Sequence, residues 1–442
     1  MSVALACALL TVTTPRAAGK RFITERDLLK FTWIADPQIS PDGSTVAFVC
    51  VTINEKENRY ETSLYVVPTS GSEAPRRLTS GIRDTSPRWS PDGKRLAFVR
   101  SIDKDGKPQA GQIYLLPTDG GEARPLTETA NGAGVPVWSP DGNTIAFTTP
   151  TGPEDSKKAQ GRGTPEGPEG GAGLEPQKSD VKVMTRAVYR ANGNPTYVEP
   201  DRHAHIWTIP VADTVSDEPQ AKQITDGAFD ERDIVWAPDG RSIYFVSDRV
   251  AESYYLPSDS DLYSVPAAGG AIANVASIDG TIGEVSPSPD GKRLAFIGTL
   301  HGNPVRSYSQ PDLWVTDAAP GGTPKNLTAG YDFDMGGGIG GDQAAPRGQN
   351  RKPILWSRDG ASLIVASAEH GSGNLKRVTI ATGKVEPLTE GARDVVAYSA
   401  MPDASKIAAT LSTQTNIGDI AILSVGPGLA TPSPITGINE DL

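Results

Sequence analysis

The chain has 442 residues, of which 37% are hydrophobic and only 6% aromatic, with 47 glycines, 37 prolines and a formal net charge of −11. That acidity, with no basic cluster in the body of the chain, argues against nucleic acid or an anionic membrane surface as a partner. No apolar run is long enough to span a bilayer, and two cysteines, Cys7 and Cys50, make no disulfide framework.

The first segment, MSVALACALLTVTTPRAAGK, is apolar from Val3 to Val12 and ends in small residues near Ala17 and Ala18. Residues 1–20 read as a secretory leader without the usual positive start, which predicts a periplasmic or secreted protein; a cytoplasmic one with a disordered tail is the alternative. Beyond it, one pattern recurs along the chain. ISPDGSTVAFV begins at Ile39, WSPDGKRLAFV at Trp89, WSPDGNTIAFT at Trp138, WAPDGRSIYFV at Trp236 and PSPDGKRLAFI at Pro287. Two weaker copies, WSRDGASLIVA and AMPDASKIAAT, begin at Trp356 and Ala400.

Each copy encodes a tight hairpin. Proline presets the first central position of a type I turn, aspartate suits the next, and glycine takes the left-handed conformation that follows. The apolar run after each turn does not alternate, which predicts a strand covered on both faces. A third strand follows every hairpin (SLYVVP from 63, QIYLLP from 112, HIWTIP from 205, DLYSVP from 261, DLWVTD from 312, LKRVTI from 375, DIAILS from 419). A short fourth strand ends each unit, as in RRLT from 76 and EPLT from 386.

The turn aspartates fall at 42, 92, 141, 239, 290, 359 and 403, an ordinary spacing of about 44 to 51 residues. Four-stranded units at this period predict an all-β, seven-bladed β-propeller over residues 21–442. The blades are about 31–80, 81–128, 129–225, 226–277, 278–328, 345–390 and 391–438. The first and last units each own four strands, so no strand exchange should close the ring.

Two insertions interrupt the array. Residues 151–180 are rich in Gly, Pro and charge, and predict disorder. The other, about 331–350, contains Gly336, Gly338 and Gly341 in a GxGxxG spacing. Neither the preceding strand nor the following helix of a dinucleotide site is readable there, so it predicts a disordered loop and no cofactor.

Catalytic chemistry is hard to find. Of four histidines, His203 and His205 lie two apart on one strand and share a face, but no third metal ligand is apparent, so no metal is expected. There is no GxSxG pentapeptide for a serine nucleophile. Most acidic residues sit in the repeated turns, where backbone geometry explains them.

The opening ITERDLLKFTWIADPQISPDGSTVAFV (23–49) resembles the N-terminal segment of the prolyl oligopeptidase (S9) family of serine peptidases, in its acylaminoacyl-peptidase and dipeptidyl-peptidase 5-like branch. VMTRAVYRANGNPTYVEPDRHAHIWTIPV (183–211) is similar to the third-blade strand pair of that family, and PITGINEDL (434–442) to its exit from the propeller.

The resemblance implies a propeller that gates a C-terminal α/β-hydrolase domain carrying the Ser-Asp-His triad, and short peptides as substrates. No position here matches that triad, so the chain is expected to be non-catalytic as it stands. The Glu-Glu pair with which dipeptidyl-peptidase IV relatives hold a substrate amine is absent. Tyr189 and Arg190, ahead of the inserted hairpin of the third unit, are the candidate substrate contacts; an ion pair of Arg190 with Glu199 or Asp201 is the plainer reading. A free-standing TolB-like binding scaffold of the bacterial envelope is the alternative function.

Overall fold

The computed structural model describes residues 24–152, 155, 181, 183–184, 189–190, 198–199, 201–211, 220–302 and 304–440. The leader at 1–20 and nearly all of 151–180 lie outside the described residues. The protein is all-β. Its first sheet is an antiparallel meander of Trp33–Ile39, Thr45–Asn54, Arg59–Pro68 and Arg76–Arg77. The same order recurs in four more four-stranded sheets, which begin with Asp84–Trp89, Val137–Trp138, Arg232–Trp236 and Gly280–Pro287. An eight-stranded sheet from Leu355–Trp356 to Ser433–Pro434 completes the chain. Its two meanders meet at one parallel residue pair, Gly373 with Asp394. Among the described residues, 3-10 turns occur at Leu28–Lys30 and Ser253–Tyr255. No described helix is long and apolar enough to cross a membrane.

The repeated hairpin has a second purpose besides reversing the chain. In the five turns that begin with serine, its hydroxyl donates to the aspartate two residues on (Ser90 Oγ to Asp92 Oδ1, 2.5 Å) and accepts the N–H that opens the next strand (Arg95 N, 2.9 Å). The turn glycines have φ between 65° and 72°, where a side chain would be strained. Between sheets, the turns interlock. A Cβ on Gly93 would lie 3.7 Å from Pro41 Cδ of the preceding sheet, and one on Gly142 would lie 3.4 Å from Pro91 Cδ.

Four of the seven turns are preceded by a tryptophan, and each of these reaches back one sheet. Trp89 Nε1 donates to Gln38 O, Trp138 to Arg88 O, Trp236 to Val137 O and Trp356 to Ser286 O, at 2.9–3.1 Å. The motif therefore recurs because each copy is the contact surface for the one before it.

Second strands are buried on both faces, as their unbroken apolar runs predict. Phe48, Phe98, Phe147, Phe245 and Phe296 are all fully buried. Hydrophobic clusters join neighbouring sheets: Val49 and Leu64 with Leu96 and Phe98, Leu115 with Phe147, Ala146 with Phe245, Val246 with Phe296, and Leu313 with Leu363. One more joins the two ends of the array, packing Ile34, Phe48 and Val67 with Ala408, Ile420 and Ile422. Cys50 lies in this last cluster, and burial pushes its thiol up to about 11, against the opposing effect of Arg77.

Residues 331–350, expected as a disordered loop, instead follow a defined path across the sheets. Met335 is buried among Leu313, Ile354 and Trp356, and the Gly336 N–H donates to Ala366 O at 2.8 Å. Further on, Asp342 O accepts from Trp33 Nε1 (2.8 Å) and Gln349 O from the Asp36 N–H (2.9 Å). Gly348 has φ 82°, and a Cβ there would come 2.8 Å from that of Ala35. Glycine-rich composition signals a loop, but here small residues are what let the strap lie against neighbouring backbone.

The turn aspartates yield a pH prediction. Asp42, Asp92, Asp141, Asp290, Asp359 and Asp403 are all held below the usual carboxylate range, chiefly by hydrogen bonds from serine hydroxyls and then by backbone N–H groups. A carboxyl whose folded pKa is depressed stabilises the fold above its unfolded value, about 3.9, and loses that contribution as pH falls through the folded value. The melting temperature should thus be insensitive to these groups from neutral pH to about 5 and fall below 4. In an NMR titration, Ser90→Ala should return Asp92 toward the ordinary range; an unmoved Asp92 would refute the assignment.

Candidate functional site

The first strands of the sheets surround a cavity of about 1000 Å³. Five of these strands carry a register shift, at Ala35/Gln38, Thr85/Arg88, Arg232/Val235, Gly283/Ser286 and Val395/Ala397. In four of them the bulged residue has a positive φ: Asp36 (49°), Ser86 (56°), Asp233 (51°) and Glu284 (52°). Bulges re-aim side chains and are concentrated at functional rims. Three of these four strained residues are acids, and strain of this kind persists only where the surroundings over-determine it.

The polar lining is mostly paired. Arg88 Nη1 lies 2.8 Å from Asp36 Oδ2, and its Nη2 is 3.3 Å from Gln349 Oε1. Burial pushes the Arg88 guanidinium down, and Asp36 opposes that shift. Arg232 bonds Asp233 at 2.8 Å, Ser260 Oγ at 2.9 Å and Ile282 O at 3.1 Å.

Glu284 and Arg351 differ: both line the cavity, and neither side chain makes an ion pair or hydrogen bond with a described residue. The Glu284 side chain is exposed to the cavity, and the protein packed around it raises its pKa; Arg351 opposes the rise and Asp233 adds to it. Arg351 is fixed through its backbone, its carbonyl accepting the Tyr398 N–H at 3.0 Å.

The candidates read from sequence lie elsewhere. Tyr189 and Arg190 sit in the connection between Thr144–Thr151 and His203–Pro210, both exposed. The Tyr189 carbonyl accepts the Val198 N–H at 3.0 Å. Glu199 pairs with Arg202 at 2.7 Å, and Arg202 pairs with Asp155 at 2.6 Å. His203 and His205 have ring centroids 6.3 Å apart. His205 is buried with Nδ1 2.8 Å from Glu231 Oε2, while His203 Nδ1 is 3.5 Å from Asp230. Among the described residues, no group of three His, Cys, Asp or Glu is placed to hold a metal.

The cavity charges had a readable signal that sequence reasoning missed. Counting back four residues from the first residue of four of the seven turns (Ser40, Ser90, Ala237, Ser288) lands on Asp36, Ser86, Asp233 and Glu284.

The sheets, their interlocking turns and the shared cavity define a protein of the β-propeller class. Residues 28–160 match the TolB beta propeller domain family. The chain is similar to Dipeptidyl-peptidase 5 of Porphyromonas gingivalis, 25% identical over 396 residues that cover 86% of this chain and 51% of that protein. It also resembles the peptidase YuxL of Bacillus subtilis, 36% identical over 88 residues, 20% of this chain and 13% of that protein.

Among solved structures, it is similar to the β-propeller domain of the Trilobed protease from Pyrococcus furiosus. The TM-score is 0.57 at 17% identity, covering 93% of this chain and 98% of that one. The acylaminoacyl peptidase of Pyrococcus horikoshii gives a TM-score of 0.60 at 16% identity, covering 92% of this chain and 53% of that one. The resemblance to S9 peptidase propellers read from the opening and closing segments is thus borne out. The chain spans about half of the dipeptidyl-peptidase 5 it matches, 51%.

Proposed function

We propose that the chain is the propeller part of an S9-type serine peptidase, a gate that supplies specificity to a catalytic α/β-hydrolase domain and has no triad of its own. The observation that carries this reading is the alignment along 86% of the chain with a peptidase twice its span. The five four-stranded sheets and the two meanders of the last are its seven blades, and the ring closes through the Ile34–Phe48–Ile420 cluster without strand exchange.

Chain entry and exit lie together, because Thr32 N donates to Asn439 Oδ1 (3.1 Å) and Asn439 Nδ2 to Thr32 O (2.8 Å). In an antiparallel meander this rim is the one opposite the Ser-Pro-Asp-Gly turns. Tyr60, Ile102, Tyr255, Leu256, Val305 and Tyr308 are exposed in its connections, as expected of a face that a further domain covers. Tyr189 and Arg190 belong to the same rim and are our candidates for peptide contact. A binding scaffold of TolB type is the second reading, favoured by the match over 28–160.

Co-expression with an α/β-hydrolase domain tests the reading. The isolated chain should leave a fluorophosphonate probe unreacted, since nucleophile, base and oxyanion hole are all supplied by the other domain. The assembled protein should cleave short peptides and spare folded proteins, and Arg190→Ala should slow peptide turnover while sparing a small ester. Serine labelling of the isolated chain would overturn the proposal. So would a probe-reactive assembly that cleaves the ester but no peptide.

A further inference from the structure

The charges at the cavity form two complete pairs, a Glu231 carboxylate already bonded to Arg249 and His205, and two charges left over. Arg88 is neutralised by Asp36 and Arg232 by Asp233, each at 2.8 Å. Glu284 and Arg351 face the same cavity with no partner at ion-pair distance. They come from different parts of the chain and are held by their backbones, Glu284 in Gly280–Pro287 by a positive-φ bulge and Arg351, in the segment before Leu355–Trp356, by the Tyr398 hydrogen bond. They sense one another through space without closing the gap between them.

Opposite charges in a shared, partly dehydrated space attract more strongly than in bulk water. A ligand that brought only one charge would satisfy one group and leave the other. A ligand with an ammonium at one end and a carboxylate at the other satisfies both at once, through charge-assisted hydrogen bonds.

We infer that the central cavity is a binding site for zwitterions, short peptides with both termini free, in which Glu284 takes the ammonium and Arg351 the carboxylate. Arg88 and Arg232, already committed to Asp36 and Asp233, frame the site without competing for the ligand. The inference rests on the reading of the ring as the access path of a peptidase, and it adds which peptides that path retains. Peptides blocked at either end would pass unheld.

The full chain is titrated with tri-alanine, its N-acetyl derivative, its C-terminal amide and the doubly blocked form, by calorimetry and by tryptophan emission. Trp89 and Trp138 line the same cavity and report occupancy. Each blocked terminus should weaken binding about tenfold or more, the value of a hydrogen bond to a charged group. In Glu284→Gln the acetylated and free peptides should bind alike. In Arg351→Gln the amide and the acid should bind alike. Both side chains lack protein partners, so neither variant should fail to fold; circular dichroism checks this.

Equal affinity for all four peptides, no saturable binding at millimolar peptide, or a blocking penalty that survives in its matching variant overturns the inference. If binding fails while the hydrolase assembly cleaves peptides, the site is wrong and the peptidase reading stands. If binding holds while the assembly cleaves none, the reverse follows.

Discussion

Glu231→Ala should destabilise the protein by about 3–5 kcal/mol, the cost of removing one partner from a buried ion pair. The Glu231 side chain has no solvent exposure and accepts three hydrogen bonds: from Arg249 Nη2 (2.7 Å), Thr225 Oγ1 (2.8 Å) and His205 Nδ1 (2.8 Å). Thr225 Oγ1 in turn accepts the Ile206 N–H at 2.9 Å, so the network fixes an edge strand to its neighbour. Arg249 also stands over the rings of Phe229, Phe245 and Tyr263, 5.0–5.6 Å from their centres.

Alanine strips all of these groups of their shared acceptor. It leaves the Arg249 charge, against aromatic faces, without its counter-ion. Glu231→Gln, which keeps an acceptor but no charge, should fall between wild type and alanine. Thermal and urea denaturation measure the order. An alanine variant within about 1 kcal/mol of wild type, the size of an ordinary substitution, would show that the network contributes little.

Phe48→Ala should cost a similar amount, about 3–5 kcal/mol, from lost transfer energy and the cavity left behind. Its location matters more than its size. Phe48 is fully buried in the cluster that joins the first sheet to the last, beside Ile34, Ile420 and Ile422. No backbone ladder crosses that seam among the described residues; its polar ties run through side chains, the Ile39 N–H to Ser399 Oγ (2.8 Å), Lys406 Nζ to Gly43 O (3.0 Å) and the Thr32–Asn439 pair. The variant should therefore open locally. Amide exchange should rise first in Trp33–Ile39 and Asp394–Ala400 and leave Ser242–Ser247, on the far side, protected. A uniform rise in all sheets would mean that the ring melts as one unit and that the seam has no separate stability.

Much of the fold was legible because each unit writes its own local chemistry. Proline, aspartate and glycine specify the turn, and unbroken runs such as Leu96–Val99 announce burial on both faces. The role of the tryptophans at 89, 138, 236 and 356 as donors to the preceding sheet is a contact between units, which no single unit's local chemistry encodes. The strap at 331–350 looks disordered by composition because its anchors, Tyr331, Met335 and Ala345, are spread through a polar, glycine-rich stretch that averages them away.

The site was less legible. Tyr189 and Arg190 stand out through their resemblance to a family segment, whereas Glu284 and Arg351, far apart in the sequence, share a cavity only in the folded chain. Acids stand four residues ahead of three of the turns, at Asp36, Asp233 and Glu284, but strand alternation does not predict a bulge that turns them.

The seam also sets a clock on synthesis. Ile39 and its partner Ser399 are 360 residues apart, and Thr32 and Asn439 are 407 apart. At roughly 5–20 residues per second, the ribosome needs about 20–70 s to deliver the second side of that contact after the first. Through that interval Ile34, Phe48 and Val67 have no mate, and the nascent arc presents an uncovered apolar flank at one end and a growing one at the other. A second nascent chain on the same message offers a matching flank. Chaperone capture of the amino-terminal sheet, or pairing between neighbouring ribosomes, is therefore a hazard written into the order in which the two edges of the ring are made.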